Sequence, residues 1–332
     1  ILHAIAFVNN TFVAVGGTTY QGKIFSSVDN GMSWNQAMIS GGSTPGLLGV
    51  AYADSMEIAV AVGLNGAIRR STTNGYMWTK INSPTNSKLN DVAFHSGTNT
   101  FVIVGEGGKI LTSSDFGISW TTRNSGTTDD LFSVVTTTDG NLIVSGDAGT
   151  ILASSYGIFW TSKTSGTSIS LQGITYGTNN LVAVGNNGTL LTSTDTFSTN
   201  STQLALYNLD DDLPTDVTVA VSSSNTGEAT VDTATLTFTP DNWMNPQTVT
   251  VTGVDDDAID GHRDYQVGLS SEILEVISAG TSWSTQDAGY QTGIKGIAHG
   301  NDTFVAVGEY GGLLTSSDGS PWNQYYSSTQ ST

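Results

Sequence analysis

The chain contains no cysteine, so neither disulfides nor thiolate chemistry can contribute to its fold or its function. Basic residues are scarce: ten Lys and Arg face 29 Asp and Glu, for a formal net charge of -19. Such a chain repels a phosphate backbone and an anionic lipid surface, which argues against nucleic acid and against membrane insertion. Its four histidines, His3, His95, His262 and His299, are scattered, and three fall on first-strand positions where packing is the ordinary role, so no metal triad is expected. Apolar runs are only a few residues long, far below the roughly 20 that cross a bilayer, and no helical period stands out. There is no G-x-S-x-G elbow and no Lys-bearing phosphate loop. The opening ILHAIAF lacks a charged and then apolar signal segment and reads as the start of a mature form or an excised fragment.

What the sequence does have is glycine, 39 in all, with abundant Ser and Thr and short runs such as TFVAVG and QTVTVTGV. Many short strands joined by tight turns follow from that composition. A phrase, S-x-D-x-G-x-x-W, recurs: whole at Ser27, Asp29, Gly31 and Trp34, and whole at Ser113, Asp115, Gly117 and Trp120. The Trp residues that close it stand at 34, 78, 120 and 160, spaced by 44, 42 and 40 residues. Around each lie four apolar segments, as in LNDVAF, TFVIVG, GKILTS and ISWTTR of the third unit; the others begin near Leu2, Leu47, Leu131, Leu171 and Ile294. Four strands in a unit of this length predict a propeller blade, a sheet that must stack on its neighbours to cover its faces. The expected fold is all-β, a six-bladed propeller, or seven-bladed if another part of the parent chain supplies one blade.

The fifth phrase starts at Ser193 and Asp195 but finds its Gly and Trp only at Gly280 and Trp283. A segment of about 80 residues therefore interrupts the hairpin between the third and fourth strands of blade five. The predicted organisation is residues 1–198 for blades one to five (first part), 199–278 for the insert, and 279–332 for the rest of blade five and blade six. Thr73 replaces the Asp in the second unit, Ala153 and Ser155 take the Ser and Asp places in the fourth, and SSDGSPW in the sixth is one residue short. In the phrase, Ser and Asp side chains can bond backbone N–H groups, Gly supplies a positive φ, and Trp packs on the sheet.

This phrase resembles the Asp-box, or BNR repeat, of bacterial sialidase-type propellers. The surrounding L-x-x-I-A-F and F-V-A-V-G-x-x-G spacing is similar to the propellers of photosystem II assembly factors and their bacterial relatives. The resemblance covers about 250 residues and implies a fold more than an activity. A sialidase would need an arginine cluster for the substrate carboxylate, and the chain has only Arg69, Arg70, Arg123 and Arg263.

Residues 199–278 carry 14 of the acidic residues against the single base Arg263, which is -13 of the total charge. Their alternating runs, DVTVAV, ATLTFT and DYQVGL, predict a small β-sandwich. TLTFTPDNWMNPQTVTVTGVDDDAIDG resembles the Calx-beta-like, immunoglobulin-like modules of bacterial surface proteins. That resemblance implies calcium held by Asp210, Asp211, Asp212, Asp255, Asp256, Asp257 and Asp260, and six to eight hard oxygens are what Ca²⁺ takes.

The loops between second and third strands place polar residues after a Gly: Glu106, Asp147, Asn186 and Glu309. Blade one has a longer loop with Tyr20, and a closed disc would bring it toward Tyr310 and Tyr290. Carboxylates and tyrosines round one opening predict a rim for a protein or glycan ligand. The function expected is a non-catalytic extracellular, cell-surface or periplasmic binding and adhesion module with a calcium-stabilised insert. The alternatives are a carbohydrate-active enzyme built on the rim carboxylates and a structural subunit that joins copies of itself.

Overall fold

In the computed structural model, the residues described are 1–8, 10–53, 56–138, 140–177, 180–193, 217–223, 229–238, 248–254, 267–271, 283–286 and 289–326. The chain divides into two compact units, Ile1–Thr199 with Ile277–Thr332, and Asn200–Val276. The first is an all-β, six-bladed propeller, and no α-helix occurs among the described residues.

Blade three shows the plan: strands Leu89–His95, Thr100–Gly105, Lys109–Ser113 and Thr121–Arg123 form one antiparallel meander. The first strands of the other blades are Leu2–Val8, Leu47–Ala53, Leu131–Thr136, Leu171–Gly177 and Ile294–Gly300. In every blade the register of the first strand against the second shifts across the first strand's second residue, as between Leu89 and Asp91. Blade two has a fifth strand, because Met38–Ile39 from the preceding linker pairs in parallel with Met77–Ile81.

Second strands read as near-continuous apolar runs because, in blades two to five, a neighbouring blade covers each face. Phe101 and Ile103 of blade three pack back on Val60, Val62 and Ile68 of blade two. Val102, Val104 and Ile110 pack forward on Leu131, Val134 and Leu142 of blade four. The same division recurs between blades one and two, four and five, and five and six. The alternation of strand side chains is thus used twice, once for each neighbour.

The serine–aspartate turns close the outer hairpins. In blade three, Ser113 Oγ accepts from Gly117 N at 2.8 Å and donates to Asp115 Oδ1 at 2.7 Å, while Ser119 N donates to Asp115 Oδ1 at 2.9 Å. Gly117 sits at φ 83°, and a Cβ there would come within 2.8 Å of Val60 Cγ2, so the position takes glycine for conformation and for space. Trp34, Trp78, Trp160 and Trp322 each donate the indole N–H to the carbonyl of the turn glycine. In blade two Thr73 does the work of Asp, accepting from Met77 N at 2.8 Å. Blade four departs from the sequence reading. Ser154, not Ala153, holds the serine place, bonding Gly157 N at 2.8 Å, and it pairs with Leu142 as Ser113 pairs with Phe101. The fourth turn is therefore one residue short, like the sixth, where Gly319 N bonds Ser316 Oγ at 3.0 Å.

Blade five is assembled from distant segments. Leu190–Ser193 pairs with Trp283–Thr285, Ser193 opposite Trp283, and Thr192 and Ser284 hydroxyls meet at 3.0 Å although 92 positions apart. Within the second unit, Val217–Ser223 lies between Thr235–Phe238 and Val267–Ser271 in one sheet, and Ala229–Val231 pairs with Val251–Gly253 in another. Asp210, Asp211, Asp212, Asp255, Asp256, Asp257 and Asp260 lie outside the described residues.

Candidate functional site

Each second strand ends on a glycine, and in blades two to six the next residue turns into a single 3-10 turn. There the backbone N–H reaches the carbonyl of the residue that precedes the same blade's first strand: Leu64 to Gly46, Glu106 to Lys88, Asp147 to Asp130, Asn186 to Ser170 and Glu309 to Gly293, at 2.8–3.1 Å. Five turn tips and five linker ends are thus fixed at one end of the propeller. The second turn residue is left-handed in all five: Asn65, Gly107, Ala148, Asn187 and Tyr310. The third is glycine because a Cβ at Gly66, Gly108, Gly149 or Gly188 would run into the carbonyl of Thr85, Thr127, Thr167 or Tyr290.

The carboxylates of these tips are engaged with linker residues, Glu106 and Glu309 with their own blade's and Asp147 with the next blade's. Glu106 Oε2 accepts from Lys88 N at 3.4 Å, and Asp147 Oδ1 accepts the hydroxyl of Ser170. Glu309 accepts from Gly293 N at 3.3 Å and pairs with Lys295 Nζ at 3.0 Å. The Lys295 ammonium and the Gly293 N–H hold the Glu309 carboxyl below its ordinary range. A general acid needs the opposite shift, so Glu309 is poorly placed for glycoside hydrolysis.

Glu309, Asn186, Asn187, Ser168, Ile169, Ser170 and Gly293 line a cavity of about 420 Å³ across blades five and six. Lys295 Nζ stands 3.5 Å from Asn186 Oδ1, and through Ser170 the Asp147 carboxylate joins the same edge. Of the expected rim residues, Glu309 lines this cavity and Asp147 reaches it only through Ser170, while Glu106 belongs to the separate tip of blade three. Tyr310 is 88 % exposed at φ 56°, a left-handed position where the other tips carry Asn, Gly or Ala. A left-handed residue with a Cβ costs about 1–2 kcal/mol, so the fold gains nothing from a tyrosine there. Tyr20 is likewise exposed, in the turn closed by Thr18 N to Gln21 O at 2.9 Å. Tyr290 does not open on the rim as expected. It is buried between blades five and six, its ring against Gly308 and Gly312 and its hydroxyl donating to the Glu309 carbonyl. Glycines at both positions leave room for that ring, which the loop reading of Tyr290 overlooked. Lys295, Asn187 and Ser170 were not singled out in sequence; the last two repeat in register with ordinary turn and linker residues and carry no distinguishing pattern.

Among the described residues the arginines do not gather. Arg69 is buried, bonding Thr44 Oγ1 at 2.9 Å and Ser43 O at 2.9 Å, Arg70 Nε donates to Phe116 O at 2.6 Å, and Arg123 Nε to Thr112 Oγ1 at 2.8 Å. His95 is packed and bonded, to Thr98 N at 3.0 Å and to Gly140 O. Among the described residues no group of three or more His, Asp and Glu side chains could hold a metal ion, and no helix is long and apolar enough to cross a membrane.

No protein-family model matches the chain, and no curated protein matches it. Solved structures do. One is YCF48 bound to a D1 peptide, at 13 % identity over 97 % of this chain and 80 % of that one, with a TM-score of 0.58. Another is YCF48 from Cyanidioschyzon merolae, at 17 % identity over 98 % of this chain and 85 % of that one, with a TM-score of 0.56. At such identity the likeness is one of fold, and it places this chain among β-propellers built on the same plan.

Proposed function

We propose that this chain is a non-catalytic binding module that takes an extended segment of a partner protein on the turn tips of blades five and six. The observation that carries the reading is the polar cavity between Asn186, Asn187, Ser170 and Glu309, with Lys295 beside it and the exposed left-handed Tyr310 on its flank. Amides, a hydroxyl, a carboxylate and an ammonium offer donors and acceptors to a peptide backbone, and a tyrosine adds rigid apolar area at small entropic cost. The YCF48 fold neighbour is bound to a peptide, which supports a protein ligand over a glycan. An extracellular, adhesive setting accords with the net charge of -19, and calcium in the inserted unit belongs to the same proposal.

The test is selection of peptides from a displayed library on the immobilised chain, followed by affinity measurement. Tyr310→Ala and Lys295→Ala are expected to weaken binding about tenfold or more, with Lys163→Ala, on an outer strand, unchanged. Tyr310→Asn separates binding from folding: it should lose affinity while folding stability rises by roughly 0.5–1 kcal/mol, since Asn tolerates the left-handed region. Recovery of no peptide, or one affinity across Tyr310→Ala, Lys295→Ala and Asn187→Ala, would discard the reading.

A further inference from the structure

A polar group that is already engaged offers a ligand only what is left over, and this gives the cavity of blades five and six a definite hydrogen-bonding sense. Ser170 has one O–H to give, and it gives it to the Asp147 carboxylate of blade four. Toward the cavity it lines, the serine is left with lone pairs. Glu309 is bonded by Lys295 Nζ at 3.0 Å and Gly293 N at 3.3 Å, which hold its carboxyl below the ordinary range; ionised, it too can only accept. Asn186 has the opposite sense. Its Oδ1 faces Lys295 Nζ at 3.5 Å, and since an ammonium only donates, the asparagine presents the N–H groups of Nδ2 on its other side. The charges are balanced as well: Lys295 and Glu309 form one ion pair at the edge, so an entering cation meets the ammonium and an entering anion meets the carboxylate. The apolar part of the lining is Ile169.

We infer that this cavity takes a neutral side-chain carboxamide, an asparagine or glutamine of the bound segment, a reading that rests on the peptide-binding function proposed for the site and names what the site recognises. A primary amide has two N–H donors on its nitrogen and a carbonyl acceptor on the other arm. Its N–H groups answer Ser170 Oγ and the Glu309 carboxylate, its carbonyl answers Asn186 Nδ2, and the methylenes behind it meet Ile169. A backbone amide brings a single N–H and satisfies one acceptor of the two. A carboxylate of the same shape sets oxygen against the lone pairs of Ser170 and the charge of Glu309, and an aliphatic chain leaves all three groups unpaired. Asp147 touches no ligand in this arrangement. It is a positioning residue, which fixes the direction of the Ser170 hydroxyl and turns a group able to donate or accept into an acceptor.

Blocked single residues test this without a known partner. N-acetylglutamine N-methylamide, titrated into the isotope-labelled chain, should shift the side-chain amide resonances of Asn186, which are identified by their loss in Asn186→Ala. The glutamate, norleucine and arginine analogues should bind about tenfold more weakly, which is what a lost hydrogen bond costs. Asp147→Ala should narrow the preference for glutamine over glutamate, because the freed Ser170 hydroxyl can then donate to the acid; a purely structural role for Asp147 would leave that ratio alone. Ser170→Ala should weaken the glutamine analogue about tenfold, and it is the second variant should Asp147→Ala fail to fold by far-ultraviolet circular dichroism. Equal or tighter binding of any other analogue, no response to the glutamine analogue, or a glutamine-to-glutamate ratio unchanged in Asp147→Ala overturns the inference. The peptide-binding reading fails separately, when the displayed library yields no binder. Library binders whose glutamines and asparagines can be replaced by glutamate and aspartate without loss keep that reading and discard this one.

Discussion

Among single residues, Asp91 shows how a propeller's innermost strands can carry a titratable group that sequence reading passes over. It stands on the first strand of blade three, where the neighbouring blades have Gly49 and Ser133, and its backbone would crowd a Cβ at Gly49. Its carboxylate accepts from Val92 N at 2.8 Å, and from Val134 N and Ser133 Oγ, each at 3.0 Å. Burial nevertheless dominates those hydrogen bonds and pushes the group up to about 6. A raised acid favours the folded state in its protonated form. Its contribution is therefore fully present below the ordinary value near 3.8 and is lost as pH rises through about 6, on the order of 2–3 kcal/mol for a shift of about two units. Asp91→Asn removes the titration, and urea midpoints at pH 4.5 and 7.5 should show the variant gaining on wild type as pH rises. The slope is the informative quantity, because the new amide would face an N–H donor at either pH; an offset between the proteins that is constant with pH would refute the assignment. Asp29 has the opposite sign: hydrogen bonds from Ser33 and Ser27 lower it to about 2, so its stabilisation is present above 3.8 and fades only in strong acid. The sequence marked Asp29 because a turn motif surrounds it, whereas Asp91 lies in LNDVAF and looks like any solvated strand position. Tyr290 is the converse, a residue whose loop address suggested exposure while two glycines across the fold made its pocket.

At the level of elements, the serine–aspartate hairpin was legible because its hydrogen bonds are local, spanning two to four residues. Periodicity located the six first strands for the same reason, each opening on Leu or Ile 22 to 25 residues before the turn serine. The fourth turn was misaligned by one residue because ASSY offers two serines, and only pairing across the sheet shows that Ser154 stands opposite Leu142. Blade five makes the strongest use of local logic. Its outer hairpin is split in sequence, yet Ser193 meets Trp283 across the sheet as a continuous hairpin would require. A hairpin needs only that its two strands end side by side, so the stretch between them can be exchanged for a turn that meets the same condition. Replacing residues 194–282 by Ser-Asp-Phe-Gly-Ile-Ser, the sequence that joins Ser113 to Trp120 in blade three, should leave a cooperatively folding propeller whose melting midpoint lies within a few degrees of the parent's first-unit transition. Loss of cooperative melting in that variant would mean that blade five depends on the intervening segment for more than its hairpin.

For the molecule as a whole, sequence reached the number of blades but not which of their faces are covered. Each interblade core is written in the same Leu, Val and Phe positions whether or not a neighbour arrives, so the exposed Val305 and Val307 look identical to the buried valines of TFVAVG in blade one. A closed disc followed from counting repeats; the exposure of blades one and six follows only from their spatial arrangement. Charge is the other whole-molecule property. Of the net -19, residues 199–278 contribute -13, and clustered carboxylates that repel one another at neutral pH are relieved by a divalent cation more than by diffuse salt. If Asp210–Asp212 and Asp255–Asp257 with Asp260 supply that site, calcium at a hundredfold excess over its dissociation constant should stabilise the inserted unit by about 2.7 kcal/mol. Differential scanning calorimetry in 150 mM sodium chloride, on the order of a physiological ionic strength, should then show one transition that falls on adding chelator and returns with calcium but not with magnesium. The variant carrying the six-residue turn in place of 194–282 should show no calcium response in any transition. An equal response to both cations would reduce the effect to charge screening, and no response in the parent chain would remove calcium from the proposal while leaving the peptide-binding rim of blades five and six untouched.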